Sequence, residues 1–219
     1  MPNIFRLAGD ASHLASIIIL INTVTRTNSI DGISLKTLVL YSIVFITRYI
    51  DLFYKFHSLY NTLMKIVFIA TSIYVVFIIK QSKRTNPIAY QNMIMRDSFK
   101  IRFILLFSAV MALCFHRKFT VQELLWSFSV WLESVAILPQ LFMLTKAGRA
   151  DTLTTHYIFA LGLYRTMYIP NWIWRYYAEK RYDRLSIVTG VIQTLIYSDF
   201  FYIYYKKVLR EGTGFTLPV

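Results

Sequence analysis

The chain has 219 residues, 56% of them hydrophobic, with 7 Gly, 5 Pro, 1 Cys and a formal net charge of +13, at a mean hydropathy of +0.48. So apolar a chain with so few loop residues is not an ordinary soluble domain. Its basic residues are dispersed among short loops, which speaks against a nucleic-acid surface. The lone Cys114 allows no intramolecular disulfide and no thiolate metal cluster, and is expected as a small buried apolar residue.

In chain order, seven runs are apolar and long enough to be candidate membrane spans: roughly 4–24, 36–54, 58–80, 99–115, 119–144, 152–176 and 184–206. The first carries Asp10 and His13 and lacks a basic leader and a small-residue cleavage site, so it is expected as a helix and not as a signal peptide. Connections such as Tyr54 to His57 and His116 to Lys118 are short, and the longest polar stretch is Gln81 to Lys100. One membrane domain over 1–205 and a tail over 206–219 are expected, because no linker is long enough to divide the chain.

The distribution of Lys and Arg predicts orientation. Arg26, Lys36, Lys80, Lys83, Arg84, Arg96, Lys100, Arg102, Lys146, Arg149, Lys206, Lys207 and Arg210 fall on one side, against Lys55, Arg117, Lys118, Lys180, Arg181 and Arg184 on the other. Thirteen against six puts the C-terminus in the cytosol and the N-terminus in the lumen or outside.

Weak internal symmetry links Gly32-Ile33-Ser34-Leu35-Lys36-Thr37, before the second run, with Asp151-Thr152-Leu153-Thr154-Thr155 before the sixth. Two three-helix repeats joined by an inverting fourth helix would explain it, as in small transporters of parallel repeats. Pro139-Gln140 is the dipeptide associated with that architecture, and is equally an ordinary kink proline.

Ionisable groups inside the apolar runs are the functional signal: Arg6, Asp10 and His13; Arg48 and Asp51; Glu123 and Glu133; Arg165 and Arg175; Asp199. A charge near a bilayer centre costs roughly 2.5–3.5 kcal/mol on insertion scales, so such groups face a partner or a wet cavity. Arg6, Asp10 and His13 recur at i, i+4, i+7; Arg48 and Asp51 at i, i+3; Glu123, Trp126 and Glu133 at i, i+3, i+10; Tyr164, Tyr168, Asn171 and Arg175 at i, i+4, i+7, i+11. Four helices can thus turn one polar stripe each toward a common cavity. Pairing that merely holds the bundle together is the competing reading, for instance between Arg48 and Asp51.

Several arginines suit a ligand with several carboxylates, which a guanidinium grips in two-pronged geometry. Trp126 beside Glu123 offers an aromatic face and a carboxylate for a cationic or imidazole end of the same ligand. His13 is the residue whose charge changes near pH ~6.5, and is either a pH sensor or a hydrogen-bonded structural histidine. No histidine spacing predicts a metal site, and there is no GxSxG, Walker loop or HExxH. Glu123 and Glu133 stand about 15 Å apart along one helix, too far for a two-carboxylate hydrolase. No enzyme activity is expected.

The residues resemble the KDEL receptors (HDEL receptors in yeasts), the endoplasmic-reticulum lumen protein-retaining receptors. The resemblance runs through Asn3-Ile4-Phe5-Arg6-Leu7, Thr47-Arg48-Tyr49-Ile50-Asp51-Leu52-Phe53, Leu132-Glu133-Ser134-Val135-Ala136-Ile137-Leu138-Pro139-Gln140, Leu161-Gly162-Leu163-Tyr164-Arg165, Asn171-Trp172-Ile173-Trp174-Arg175 and Ser198-Asp199-Phe200-Phe201-Tyr202. It implies an all-α membrane protein of seven transmembrane helices, similar in fold to the SWEET (PQ-loop) transporters and cycling between Golgi and endoplasmic reticulum. The implied ligand is the C-terminal KDEL/HDEL-type tetrapeptide of escaped lumenal proteins. By resemblance, Arg48 takes the terminal carboxylate, Arg6 the glutamate and Arg175 the aspartate; Asp51, Glu123 and Trp126 surround the first residue; Tyr164, Tyr168, Asn171 and Trp172 complete the site. His13, with Tyr164 and Glu133, is the implied pH sensor, binding in the acidic Golgi and releasing in the neutral endoplasmic reticulum, with the proton as effector and no cofactor.

Cytosolic partners implied are the COPI and COPII coats, beside membrane lipid. The tail has Thr213 and Gly214 where animal members carry lysines, leaving Lys206, Lys207 and Arg210 for the coat or simply as positive-inside residues. Asp199 is either a coupling residue or a buried structural partner, and Trp172 is an interfacial anchor or a gate. A small-solute transporter of the same architecture is the alternative function.

Overall fold

The computed structural model describes residues 3–27, 30–56, 58–147, 149–150, 152–180, 182–210 and 215–216. His57, Asp151, Arg181, Thr213 and Gly214 lie outside the described residues, as do the side chains of Arg149 and Lys207. Among the described residues the regular structure is helical apart from a two-residue antiparallel pairing of Arg149–Ala150 with Phe215–Thr216. The helices are α1 (Ile4–Thr27), α2 (Leu35–Arg48), α3 (Leu59–Thr85), α4 (Pro87–Arg96), α5 (Ile101–Cys114), α6 (Val121–Val135), α7 (Leu138–Ala147), α8 (Thr152–Glu179) and α9 (Arg184–Tyr204). A 3₁₀ turn follows α2 at Ile50–Phe53, and a π-turn at Tyr205–Arg210 extends α9.

Helices cover most of each of the seven apolar runs, the fifth divided between α6 and α7, and four helical stretches are long and apolar enough to cross a membrane: Ile4–Arg26, Leu59–Thr85, Val121–Ala147 and Arg184–Tyr204. Start signals are local. Ser34 accepts from the Thr37 N–H, Ser58 from Asn61, Thr120 from Glu123 and Asp183 from Leu185, each satisfying a donor that the first turn leaves open. The break between α6 and α7 falls at Ala136 and Ile137, and Pro139, without an N–H, sits in the first turn of α7, where no intrahelical donor is needed.

Three expectations are corrected here. Gln81 to Lys100 is not a loop, since α3 continues to Thr85 and Asn86 then caps α4 with Pro87 in its first turn. Cys114, the last residue of the short apolar helix α5, is exposed and not buried. The second run is not one helix to residue 54: Tyr49 closes α2, and Asp51 sits in the 3₁₀ turn.

The chain forms two compact units, Met1–Gly32 with Leu144–Val219 and Ile33–Met143. In the first, α1 packs along α8 and α8 against α9. Gly190 of α9 lies directly under the Trp172 indole, a crossing that any side chain at 190 would obstruct. Gly32, at the end of this unit, adopts φ +76°, which favours glycine. In the second unit α2 packs on α3 and α6, and α5 on α6, around Leu40, Val44 and Leu132. The outward rows of α3 and α5, such as Ile66, Ile73 and Phe77, and Phe103, Leu106 and Val110, are exposed apolar surface of the kind lipid covers.

Candidate functional site

The sequence-predicted residues are divided between the two units. In the second unit, the last turn of α2 projects Arg48 against α6. Its Nε donates to Ser129 Oγ at 3.1 Å, one terminal nitrogen donates to the Ser129 carbonyl at 3.0 Å, and the other lies 2.6 Å from Glu133 Oε2. The Arg48 side chain is 15% exposed and that of Glu133 only 2%, so the pair is held largely away from water. All three guanidinium nitrogens are engaged, and the planar fork is fixed in one orientation.

Between Arg48 and Asp51, which the sequence spaces at i, i+3, α2 ends and the 3₁₀ turn begins. Asp51 accepts from Lys65 of α3 at 2.7 Å, and the Lys65 ammonium lies 5.8 Å from the Tyr49 ring centroid. At the opposite end of α6, Glu123 pairs with Arg117 at 3.1 Å, and the Arg117 guanidinium stacks 4.7 Å from the Trp126 ring. Within the α6 stripe, Glu123 and Trp126 thus share Arg117, whereas Glu133 meets Arg48.

In the first unit, Arg6 Nε lies 3.9 Å from Asp10, and Asp10 accepts from the Tyr168 hydroxyl at 2.8 Å. Asn3 accepts from the Arg6 backbone N–H at 2.9 Å and donates to Asn171 at 2.8 Å, clamping the start of α1 onto α8. His13, buried in α1, stacks on buried Tyr164 with ring centroids 4.4 Å apart and an interplanar angle of 27°. The aromatic row continues from Tyr164 to Tyr168 and Trp172, spaced 6.3 and 6.2 Å. Buried Arg165 lies 5.6 Å from the Trp172 ring. Glu133, a residue of the second unit, pairs with Arg48.

Two further expectations change. Arg175 does not point inward with the rest of its stripe: it is exposed near the C-terminal end of α8 and pairs with Glu179 one turn on, at 3.0 Å. Asp199 is exposed on α9 and is not a buried structural partner, whereas Arg165, given no role above, is the buried arginine of α8. Lys206 and Arg210 are exposed in the π-turn. Residues that sequence reasoning missed are Asn3, Lys65, Arg117 and Ser129. Ser129 was findable, for it stands three residues after Trp126 and four before Glu133 on the same helical stripe. Lys65 and Arg117 carry no such signal, since each meets its partner from outside the partner's own helical stripe. Among the described residues, no group of three His, Cys, Asp or Glu is placed to hold a metal ion.

These residues lie in a helical, multi-pass membrane protein, and arginines and a histidine are groups with the chemistry to meet anions and protons. Residues 29–175 match the family model described as ER lumen protein retaining receptor. Across its whole length the chain is 64% identical over 218 residues to the ER lumen protein-retaining receptor of Kluyveromyces lactis, covering 100% of both. It is 61% identical over 219 residues to that of Saccharomyces cerevisiae and 49% over 216 residues to receptor 2 of Gallus gallus, covering 99% of each chain in both comparisons. These relatives are named as receptors and not as enzymes or solute carriers, which decides between the two functions expected from the sequence. With two thirds of its length matched by the family model and close relatives aligned end to end, the chain belongs to the ER lumen protein-retaining receptors.

Proposed function

We propose that this receptor binds the free C-terminal KDEL/HDEL-type tetrapeptide of escaped lumenal proteins in the acidic Golgi and releases it in the neutral endoplasmic reticulum. In this reading the chain has seven transmembrane helices arranged as two three-helix repeats around an inverting helix, with a lumenal N-terminus and a cytosolic C-terminus. Arg48 takes the terminal carboxylate, Arg6 and Arg175 the acidic side chains, and Asp51, Glu123 and Trp126 the first residue. Tyr164, Tyr168, Asn171 and Trp172 wall the ligand. The observation that carries the reading is Arg48, whose guanidinium is held rigid and nearly dry by Ser129 and Glu133. A preoriented, poorly hydrated fork gives a carboxylate the strongest two-pronged partner a protein offers. The incoming carboxylate exchanges with contacts that Arg48 makes in the unliganded protein.

His13 supplies the pH response. A positive imidazolium on α1, near an anionic ligand, raises affinity, and by linkage the ligand favours the protonated ring. Affinity is then high below the imidazole pKa and falls as pH rises through it. Return to the endoplasmic reticulum uses COPI, with COPII for the outward leg, through Lys206, Lys207 and Arg210, and Asp199 couples capture to transport. The test is binding of a labelled peptide ending His-Asp-Glu-Leu between about pH 5 and about pH 7.5, with its C-terminal amide as control. Tight, carboxylate-dependent binding that weakens toward neutrality is expected; equal binding of acid and amide overturns the assignment of Arg48.

A further inference from the structure

The corner between α3 and α4 plays no part in peptide recognition, yet it combines two features that seldom share a surface. Between Leu52 and Arg96 there is no acidic residue, and Lys80, Lys83, Arg84 and Arg96 are all exposed. The next acid, Asp97, is 1% exposed and accepts from Ser34 Oγ at 2.9 Å and the Lys36 N–H at 3.0 Å, so it does not neutralise them. Beside these cations α4 presents Ile88 and Met95 at 75% and 70% exposure, while Met93 on its other face is buried. An open groove of about 360 Å³ runs between them, lined by Lys83, Pro87, Tyr90, Gln91, Ile94 and Met95.

We infer that this groove is a binding site for an anionic phospholipid, with the headgroup phosphate on Lys83 and an acyl chain along Ile94 and Met95. α4 is anchored at its start by Asn86 and Pro87 and is too short, at 10 residues, to span a bilayer. Its composition is that of a helix lying in the interface plane, apolar toward the acyl boundary with basic groups at headgroup level. Lysine stems lie along apolar surface while the ammonium reaches outward, and tyrosine favours the same level. A soluble acidic peptide would satisfy the cations and leave Ile94 and Met95 in water; an anionic amphiphile satisfies both. By the orientation inferred from charge, this corner faces the cytosolic leaflet, where anionic lipids concentrate.

The experiment is native mass spectrometry of the purified full chain with equimolar phosphatidylcholine, phosphatidylserine and phosphatidylinositol. Selective retention of the anionic lipids is expected, weakening roughly fivefold for each basic residue removed in Lys83→Gln and in Lys83→Gln/Arg84→Gln/Arg96→Gln. Lys118→Gln is expected to leave retention unchanged, Ile94→Ser/Met95→Ser to lower it, and Lys83→Arg to preserve it. Retained tetrapeptide binding by the triple variant identifies the loss as local and keeps this result separate from the peptide-receptor reading. Equal retention of phosphatidylcholine, undiminished retention by the triple variant, or displacement of the lipid by a soluble acidic peptide overturns the proposal.

Discussion

Arg48 in the second unit and Arg175 in the first are the same side chain in opposite electrostatic settings. Arg48 and Glu133 have side chains 15% and 2% exposed, whereas Arg175 and Glu179 are 44% and 41% exposed. Solvent screens the second pair almost completely, so it contributes little to stability and exchanges freely. The first is desolvated, and neither partner can be lost without stranding the other. If both arginines bind the tetrapeptide as proposed, stability and recognition are combined in Arg48 and separated in Arg175.

The largest expected effect is on the buried pair. Arg48→Ala leaves Glu133 uncompensated and should lower stability by about 3–5 kcal/mol, read as thermal unfolding in detergent. Arg48→Met combined with Glu133→Leu should recover much of that stability while tetrapeptide binding stays absent. Recovery of binding as well would remove Arg48 from the ligand site. Next is Tyr168→Phe, which deletes the donor to the largely buried Asp10 carboxylate and should cost about 1.5–3 kcal/mol. A change below that range would mean that water replaces the hydroxyl.

A pH profile sharpens the comparison further. With His13 intact, affinity should decline from acid to neutral pH by a factor of about 5–150, the usual size of a coupling between two sites. His13→Ala should flatten the profile at the low-affinity end, because the missing charge is the one that attracts the ligand. A variant that keeps the slope would move the sensor elsewhere. Smallest on stability is Arg175→Ala, at under about 0.5 kcal/mol, yet tetrapeptide affinity should fall at least tenfold, about 1.4 kcal/mol. Matched losses in both measurements would show that its pair with Glu179 is structural.

Much of this was legible in the residues. The apolar runs mark helices because an unpaired backbone group in hydrocarbon is so costly that spans must be continuous. Capping residues such as Ser34, Ser58 and Thr120 mark their starts for local reasons. The stripe Tyr164, Tyr168, Asn171 holds together against α1 as its spacing requires, through the Asp10 and Asn3 contacts and the His13 stack. At Arg175 the stripe reaches solvent, and the side chain pairs with Glu179 of its own helix.

What the sequence by itself determined is therefore what depends on neighbours along the chain: which segments are helical, which way each polar face turns, and, through long shared strings, which family this is. Tertiary structure alone decided who partners whom. Arg48 belongs to Glu133 and Ser129, Asp51 to Lys65, Glu123 to Arg117, and Asp97 to the start of α2. Helical spacing states the direction of a charge without naming what it meets. When several carboxylates and several cations must share a low-dielectric interior, the pairing that survives is the one packing brings within about 3 Å, since only there does attraction offset the cost of leaving water.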